Sequence, residues 1–343
     1  MRIALVNDMM MAVEAMRRVI LAGSEHQIAW VARDGAEAVR FCAEDRPDLI
    51  LMDLIMPKVD GVEATRRIMA ATPCPIVVVT ASVEDNSSKV FEAMGAGALD
   101  AVNTPVLNSL DQSRSPLLGK IETIQRLIGG RAVKKPARIP EPLAAPASIG
   151  HECLIAIGAS AGGPAAVAAV LSQMPEDLPA SIIIVQHVDA QFVQGLADWL
   201  GYQTRLPVRL AQHGDTPEPG TVLLAGREEH LVFASPRRLI YTREPVDSSY
   251  HPSIDVFFQS AARFWPGQII GVVLTGMGRD GAEGLRALRR NRHQTIAQNA
   301  ETSAVYGMPK AAAELDAAVS ILPLERIAPR IITLMAQSSK THV

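Results

Sequence analysis

Short apolar runs of strand length, each followed by a stretch of helical period, recur along the chain and constrain its fold more than any other feature. In the first hundred residues the runs are Ile3–Val6, Ile28–Ala32, Leu49–Met52, Ile76–Val79 and Leu99–Val102. The helical stretches Ala12–Leu21, Ala36–Ala43, Val62–Ala70 and Val90–Met94 lie between them. Strands joined through helices run parallel, and a parallel sheet is covered on both faces. The alternation resumes at Cys153–Ile157, Ile182–Gln186, Gln268–Leu274 and Thr295–Gln298. It predicts an α/β chain: a doubly wound five-stranded parallel sheet, then a mostly parallel three-layer α/β/α domain. Val208–Arg243, where short strand-like pieces alternate with turns such as Glu218-Pro219-Gly220 and Ala225-Gly226, predicts an antiparallel insertion in the second.

A chain of 343 residues is long enough for two such domains, each with its own core. Ser115–Ile128 places Leu117, Leu118, Ile121, Ile124, Leu127 and Ile128 on one helical face, as a last helix of the first domain would. Arg131–Ser148 is proline-rich, holds Lys134-Lys135 and has no apolar period, so it reads as a semi-extended spacer. The expected division is a first domain over 1–106, a terminal helix and linker over 107–149, and a second domain over 150–343. The 33 basic and 36 acidic side chains leave a net charge of −3, which argues against a nucleic-acid partner held by charge. Cys42, Cys74 and Cys153 have no metal-ligand spacing and read as reduced and structural. The apolar start Ile3–Val6 is too short for a signal peptide, and no run reaches the ~18 residues of a membrane span. A cytoplasmic protein is expected.

Gly158, Ser160 and Gly162 spell G-x-S-x-G between the run Cys153–Ile157 and an Ala-rich helical pattern beyond Pro164. Small neighbours let the backbone turn sharply enough to lift a serine hydroxyl above the end of a sheet. The following helix start adds free N–H groups where negative charge could develop. The same residues also suit a turn that merely packs closely, so the partners of Ser160 must decide. Ile182–Gln186 ends at His187, on the same sheet edge as Ser160 if the two strands are parallel. Gln268–Leu274 leads into Thr275-Gly-Met-Gly-Arg-Asp-Gly281. Gly276, Gly278 and Gly281 there satisfy G-x-G-x-x-G, which keeps an NAD-dependent oxidoreductase as an alternative. Against it, Asp280 at the helix start would repel a pyrophosphate, and Thr295–Gln298 ends in Asn299 without a ribose-binding acid at its tip. Asp280 alone suits a helix N-cap. A serine, a histidine and an aspartate each following an apolar strand are instead the parts of a nucleophile, base and orienter. Their order differs from that of α/β-hydrolases, which points to convergent use on another sheet. The positions of His230 and His251 assign them no chemistry.

In the first domain, ligands of the sheet bind beyond its carboxyl ends, which carry Asn7-Asp8, Asp53, Thr80 and Asn103-Thr104-Pro105. Two carboxylates converging there repel unless a hard cation shares them, and Mg²⁺ suits one or two carboxylates plus a phosphate. Phosphoryl chemistry on Asp53 follows. The stretch Leu51-Met52-Asp53-Leu54-Ile55-Met56-Pro57 through Asp60-Gly61, with Thr80-Ala81-Ser82 and Gly95-Ala-Gly-Ala98, resembles the receiver domain of bacterial response regulators. The resemblance implies Asp53 as phosphoacceptor, Asp8, Asp53 and the backbone carbonyl of Ile55 as Mg²⁺ ligands, and Thr80 as a phosphoryl contact. Two positions depart from it. Asn7 replaces an acid, and Thr104 replaces the lysine that pairs with the phosphoryl group, whose charge a hydroxyl cannot supply. Weak binding of Mg²⁺ or phosphoryl, or a modified signalling route, is expected.

The second domain, through Ile157-Gly-Ala-Ser-Ala-Gly-Gly-Pro164, Gln186-His187, Leu274–Gly281 and Tyr306-Gly-Met-Pro309, resembles the catalytic domain of the chemotaxis protein-glutamate methylesterases, the CheB family. A receiver followed by this domain is that family's architecture. The resemblance implies hydrolysis of glutamate methyl esters on a methylated chemoreceptor-type protein, with deamidation of glutamines as a further activity. Ser160 is then the nucleophile, His187 the base and Asp280 its partner, and backbone N–H groups of Met277 and Ala161 face the oxyanion. A histidine kinase is the expected phosphodonor, and the second domain is expected to need no cofactor. The flexible spacer joining a switch domain to a hydrolase leads to the expectation that the unphosphorylated first domain restrains the second and that phosphorylation at Asp53 loosens it. Val188-Asp-Ala-Gln-Phe192 departs from the family's proline-rich sequence after the histidine, which leaves receptor docking open. Asn7-Asp8-Met9 and Asn103-Thr104-Pro105 look most like the subgroup attached to Wsp-type, surface-sensing arrays. A catalytically silent regulatory binder is the remaining alternative.

Overall fold

The structure, a computed structural model, describes residues 1–22, 26–83, 86–105, 115–128 and 152–340. The chain divides into two compact units, 1–134 and 135–343. The proline-rich stretch Arg131–Ser148 lies outside the described residues.

The first unit holds strands β1 (Arg2–Val6), β2 (Gln27–Ala32), β3 (Leu49–Met52), β4 (Ile76–Thr80) and β5 (Asp100–Asn103), all parallel, in the order β2-β1-β3-β4-β5. Every residue of β3 and β4 is buried, which is why these strands read as unbroken apolar runs rather than alternating ones. Helices α1 (Met10–Ala22), α2 (Gly35–Glu44), α3 (Gly61–Ala71) and α4 (Ser87–Gly95) connect them. Asp34 and Asp60 start α2 and α3 by accepting hydrogen bonds from the backbone N–H groups of Glu37 and Glu63. Helix α5 (Pro116–Ile128) buries Leu117, Leu118, Ile121 and Ile124 in the same core as Ile3, Leu5 and Leu49, so the periodic stretch is a helix of this domain.

The second unit is built on seven strands: β6 (Cys153–Ala159), β7 (Ala180–Gln186), β8 (Val208–Leu210), β9 (Val222–Leu224), β12 (Gln268–Val273), β13 (Gln294–Gln298) and β14 (Ser320–Leu322). They form one parallel sheet in the order β14-β13-β12-β6-β7-β9-β8. Helix α6 (Gly163–Leu171) touches α7 (Val193–Gln203) and α11 (Leu324–Lys340); α9 (Ala282–Arg290) touches α8 (Ile254–Phe264) and α10 (Met308–Glu314). These are two helical layers about one sheet. The antiparallel insertion is narrower than Val208–Arg243 suggests: only β10 (His230–Ser235) and β11 (Arg238–Thr242) pair antiparallel, as a separate hairpin. Strands β8 and β9 extend the parallel sheet instead. Val222–Leu224 is fully buried and pairs with β7, but three apolar residues are too few to reveal a buried parallel strand by pattern. Among the described residues no helix is long and apolar enough to cross a membrane.

In the second unit, β7 to β9 lie on one side of β6 and β12 to β14 on the other. The sheet therefore changes winding direction at β6, and the crevice beyond its carboxyl end is where open α/β sheets bind ligands.

Candidate active site

The three central strands β12, β6 and β7 deliver the three residues that the sequence singles out. Ala159 pairs with Gln186 in parallel register, so Ser160 and His187 occupy the next position on adjacent strands. Asp280 lies between β12 and α9. His187 Nε2 donates a hydrogen bond of 2.8 Å to Asp280 Oδ2. Because the carboxylate can only accept, Nε2 carries the hydrogen, and whenever the ring is neutral Nδ1 has the lone pair. That Nδ1 is buried and has no hydrogen-bond partner among the described residues.

The Ser160 turn is held by its backbone. Its N–H donates to the Thr275 carbonyl at 3.0 Å, and its carbonyl accepts from the Gly163 N–H at 2.7 Å and from Gln186 Nε2 at 2.8 Å. The Gln186 amide also donates to the His187 carbonyl at 3.1 Å, tying the serine turn to the histidine turn. The Thr275 hydroxyl donates to the Ala161 carbonyl at 3.0 Å, while the Thr275 N–H donates to Gln298 Oε1 at 2.8 Å. Thr275, Gln186 and Gln298 are almost fully buried; the Thr275 hydroxyl and the Gln298 amide are satisfied core groups with a structural task, whereas Gln186 bonds through Nε2 alone and its Oε1 has no partner among the described residues.

Asp280 does not cap its own helix. Gly281, with φ of 86°, occupies the cap position of α9 and offers no side chain. Asp280 reaches across to the start of α8, where Oδ1 accepts from Ser253 Oγ at 2.8 Å and Asp255 N–H at 3.0 Å, and Oδ2 accepts from Ile254 N–H at 2.7 Å. The residue is 4% exposed. Burial pushes its carboxyl pKa up, but the His187 and backbone hydrogen bonds outweigh burial and hold it below its ordinary value. The carboxylate therefore stays ionised beside the imidazole. Behind it, Ser253 N–H donates to His230 Nδ1 at 3.0 Å, and His230 Nε2 donates to the Pro245 carbonyl at 3.2 Å. Burial lowers the pKa of His230 and keeps it neutral as this acceptor.

The glycines of the loop after β12 have packing reasons. A methyl group on Gly276 would strike Met308 and lie 2.8 Å from Ser160 Cβ, so only glycine lets this loop pass the serine. The backbone N–H groups of Met277, in this loop, and Ala161, next to Ser160, donate to no backbone acceptor among the described residues. Asp280 is committed to His187 and α8, and the Gly284 N–H in the first turn of α9 is taken by Asp255 Oδ1 at 2.6 Å, so the helix start behind the glycine fingerprint faces carboxylates where a dinucleotide would place phosphate.

Of these residues, the sequence reading missed Gln186 as a linker, Thr275, Gln298 and Ser253. Ser253 had a local signal: it caps the amphipathic helix Ile254–Phe264. The others carry no signal, because each acts on a segment distant in sequence.

In the first unit, Asp8 and Asp53 follow β1 and β3, the adjacent strands at which that sheet changes winding direction. Asp53 Oδ2 accepts from Asn7 Nδ2 at 2.9 Å and Oδ1 from Leu54 N–H at 2.7 Å. Burial raises its pKa to about 6, with the Asp8 charge adding to the effect. Among the described residues neither carboxylate pairs with a cationic side chain, and no three ligating side chains cluster as a metal-ion site. Thr80, buried at the end of β4, accepts from Asn86 Nδ2 at 3.3 Å, and Thr104 N–H donates to the Thr80 carbonyl at 2.8 Å. Ile55 is exposed, with its backbone at the same edge.

Residues 155–331 match the family described as CheB methylesterase, and residues 3–110 match the response regulator receiver domain. A protein-glutamate methylesterase/protein-glutamine glutaminase of Mesorhizobium japonicum is 58% identical over 99% of this chain and 100% of its own. One of Burkholderia lata is 58% identical over 97% of this chain and 98% of its own. The crystal structure of the catalytic domain of Thermotoga maritima CheB methylesterase overlays with a TM-score of 0.51 at 32% identity, covering 53% of this chain and 97% of that one.

Proposed function

The chain belongs to the CheB methylesterase family, with a receiver domain ahead of the hydrolase, and we infer from this premise that it hydrolyses glutamate methyl esters and deamidates glutamines on chemoreceptor-type proteins. Ser160 is the nucleophile, His187 the base and Asp280 the group that orients and charges it. The observation that supports this reading is the His187–Asp280 hydrogen bond, made through Nε2 with Nδ1 left without a partner among the described residues, on a histidine that follows the residue paired with the one before Ser160.

Ser160 Oγ attacks the ester carbonyl while its proton passes to His187 Nδ1. The oxyanion receives hydrogen bonds from the N–H groups of Ala161 and Met277; one such donor is worth roughly 3 kcal/mol of transition-state stabilisation. Collapse expels methanol, which takes the proton from His187. Water then attacks the acyl-enzyme by the same route and releases the glutamate carboxylate and Ser160. With a glutamine side chain, ammonia leaves instead. Asp280, ionised and anchored on α8, holds the ring in the tautomer this sequence of steps requires and stabilises the imidazolium.

Asp53 accepts the phosphoryl group from a histidine kinase in the cytoplasm and thereby releases restraint on the hydrolase. The unbalanced Asp8 and Asp53 carboxylates suit a hard cation, and Mg²⁺ held by them and the Ile55 carbonyl would neutralise charge during that transfer. Asn7 removes one carboxylate and weakens Mg²⁺ binding, and Thr104 lacks the cation that would pair with the phosphoryl group and weakens its binding. The same residues, as Asn7-Asp8-Met9 and Asn103-Thr104-Pro105, favour a Wsp-type array as the setting.

The test is methanol release from methylated receptor membranes. Wild type should release it and Ser160→Ala should retain under about 10⁻³ of the rate. Equal rates for the two would reject the reading.

A further inference from the structure

One side chain against the base is used by no step above. The ring of Tyr250 lies on that of His187 with centroids 4.7 Å apart and planes within 4° of parallel. Its hydroxyl sits against Gly278, where a methyl group on that glycine would collide with it; Gly278 belongs to the same loop as Met277. Tyr250 is itself fixed from behind: its N–H donates to Ser248 Oγ, and its carbonyl accepts from the same hydroxyl at 3.0 Å. The next residue repeats the arrangement, since His251 stacks on His230 at 4.7 Å. Ser253, two residues further on, donates to Asp280. One short segment therefore holds the face of the base and the far side of its carboxylate.

This matters because a hydrogen bond fixes only one direction of an imidazole. The bond from Nε2 to Asp280 is a soft restraint: small coupled rotations about Cα–Cβ and Cβ–Cγ keep it within hydrogen-bond range yet tilt the ring, and Nδ1 swings with it. A lone pair lies in the ring plane, so proton transfer from Ser160 needs that plane set as well as that bond. A flat aromatic contact sets a plane.

Resting on the hydrolase reading, we propose that Tyr250 is a positioning residue: by stacking on His187 it sets the ring plane so that Nδ1 points at Ser160 while Nε2 stays on Asp280. The aromatic face does this, not the hydroxyl. Tyr250 touches the base rather than the substrate's reacting atoms, so its loss slows the chemical step and spares binding.

The experiment measures kcat and KM for methanol release from methylated receptor membranes by the full chain as wild type, Tyr250→Leu and Tyr250→Phe, with thermal unfolding of each. Tyr250→Leu should lower kcat about 10- to 100-fold with KM within about twofold of wild type, the scale on which small misplacements of a reacting group act. Tyr250→Phe should recover kcat to within about threefold of wild type. Wild-type kcat in Tyr250→Leu would overturn the proposal, as would a loss confined to KM, a Phe variant as slow as Leu, or a loss matched by a smaller folded fraction. No methanol from the wild type, or none lost in Ser160→Ala, would instead bring down the hydrolase reading and this inference with it.

Discussion

Asp280 shows how a single side chain takes its meaning from what surrounds it. As a residue before a helix it is indistinguishable from an N-cap, and a cap is indeed what it becomes, though for α8 rather than α9. Both its oxygens face donors only. Asp280→Asn would turn an amide nitrogen towards one of those sets, leaving buried donors opposed and the imidazole uncharged by its partner. Expected are a loss of roughly 1–3 kcal/mol in stability and a fall of about 10³- to 10⁴-fold in kcat. Urea unfolding together with methanol release checks both; a variant that loses stability but keeps its rate would mean that the carboxylate serves the fold alone. Ser160, His187 and Asp280 were legible in the sequence because each ends a recognisable strand or starts a recognisable helix. Gln186 and Gln298 were not, since a buried amide is chosen by partners that only folding brings near.

At the scale of elements, the strand-to-helix turns do the positioning. In the loop from Thr275 to Gly281, Gly276 is set by its closeness to Ser160, and Gly278 and Gly281 by their positive φ and by Tyr250 and Ile254, so a dinucleotide reading of them mistakes a packing requirement for a binding motif. Gly276→Ala tests this. Met308 is flexible enough to yield, but Ser160 Cβ, 2.8 Å from the added methyl, can move only with its turn. The variant should fold and should lose about 10- to 100-fold in kcat, because displacing a nucleophile by a fraction of an ångström costs on that order; a rate equal to wild type would show that the loop has slack. Longer elements were readable from period alone: the fully buried β3, β4 and β7 as apolar runs, and α5 as an apolar stripe. Short ones were not, and β8 and β9 took their parallel pairing from a sheet that is invisible in three residues.

For the whole molecule, the consequential question is how strongly a receiver lacking the phosphoryl-pairing lysine drives the hydrolase. Thr104 follows β5 and is anchored to β4 through Thr80, so a longer side chain here starts from the sheet edge that carries Asp53. Thr104→Lys restores a point charge for the phosphoryl group. It should increase the stimulation of methanol release by a small-molecule phosphodonor at least severalfold while leaving the unstimulated rate within about twofold. Stimulation unchanged by the lysine would show that the missing charge does not limit the switch. Two α/β units, the carboxyl-end edges of their sheets and most of the candidate residues there can be read along the chain, because hydrophobic period and turn composition are properties of consecutive residues. Which strands are neighbours emerges from the folded chain alone. The order β12-β6-β7 brings together groups far apart in the chain, and packing beyond that edge lets Asp280 receive the first N–H groups of a helix it does not belong to and lays Tyr250 on His187. Those contacts arise from sheet pairing and helix packing, which minimise exposed apolar surface over the whole fold and leave no mark on any single stretch of sequence.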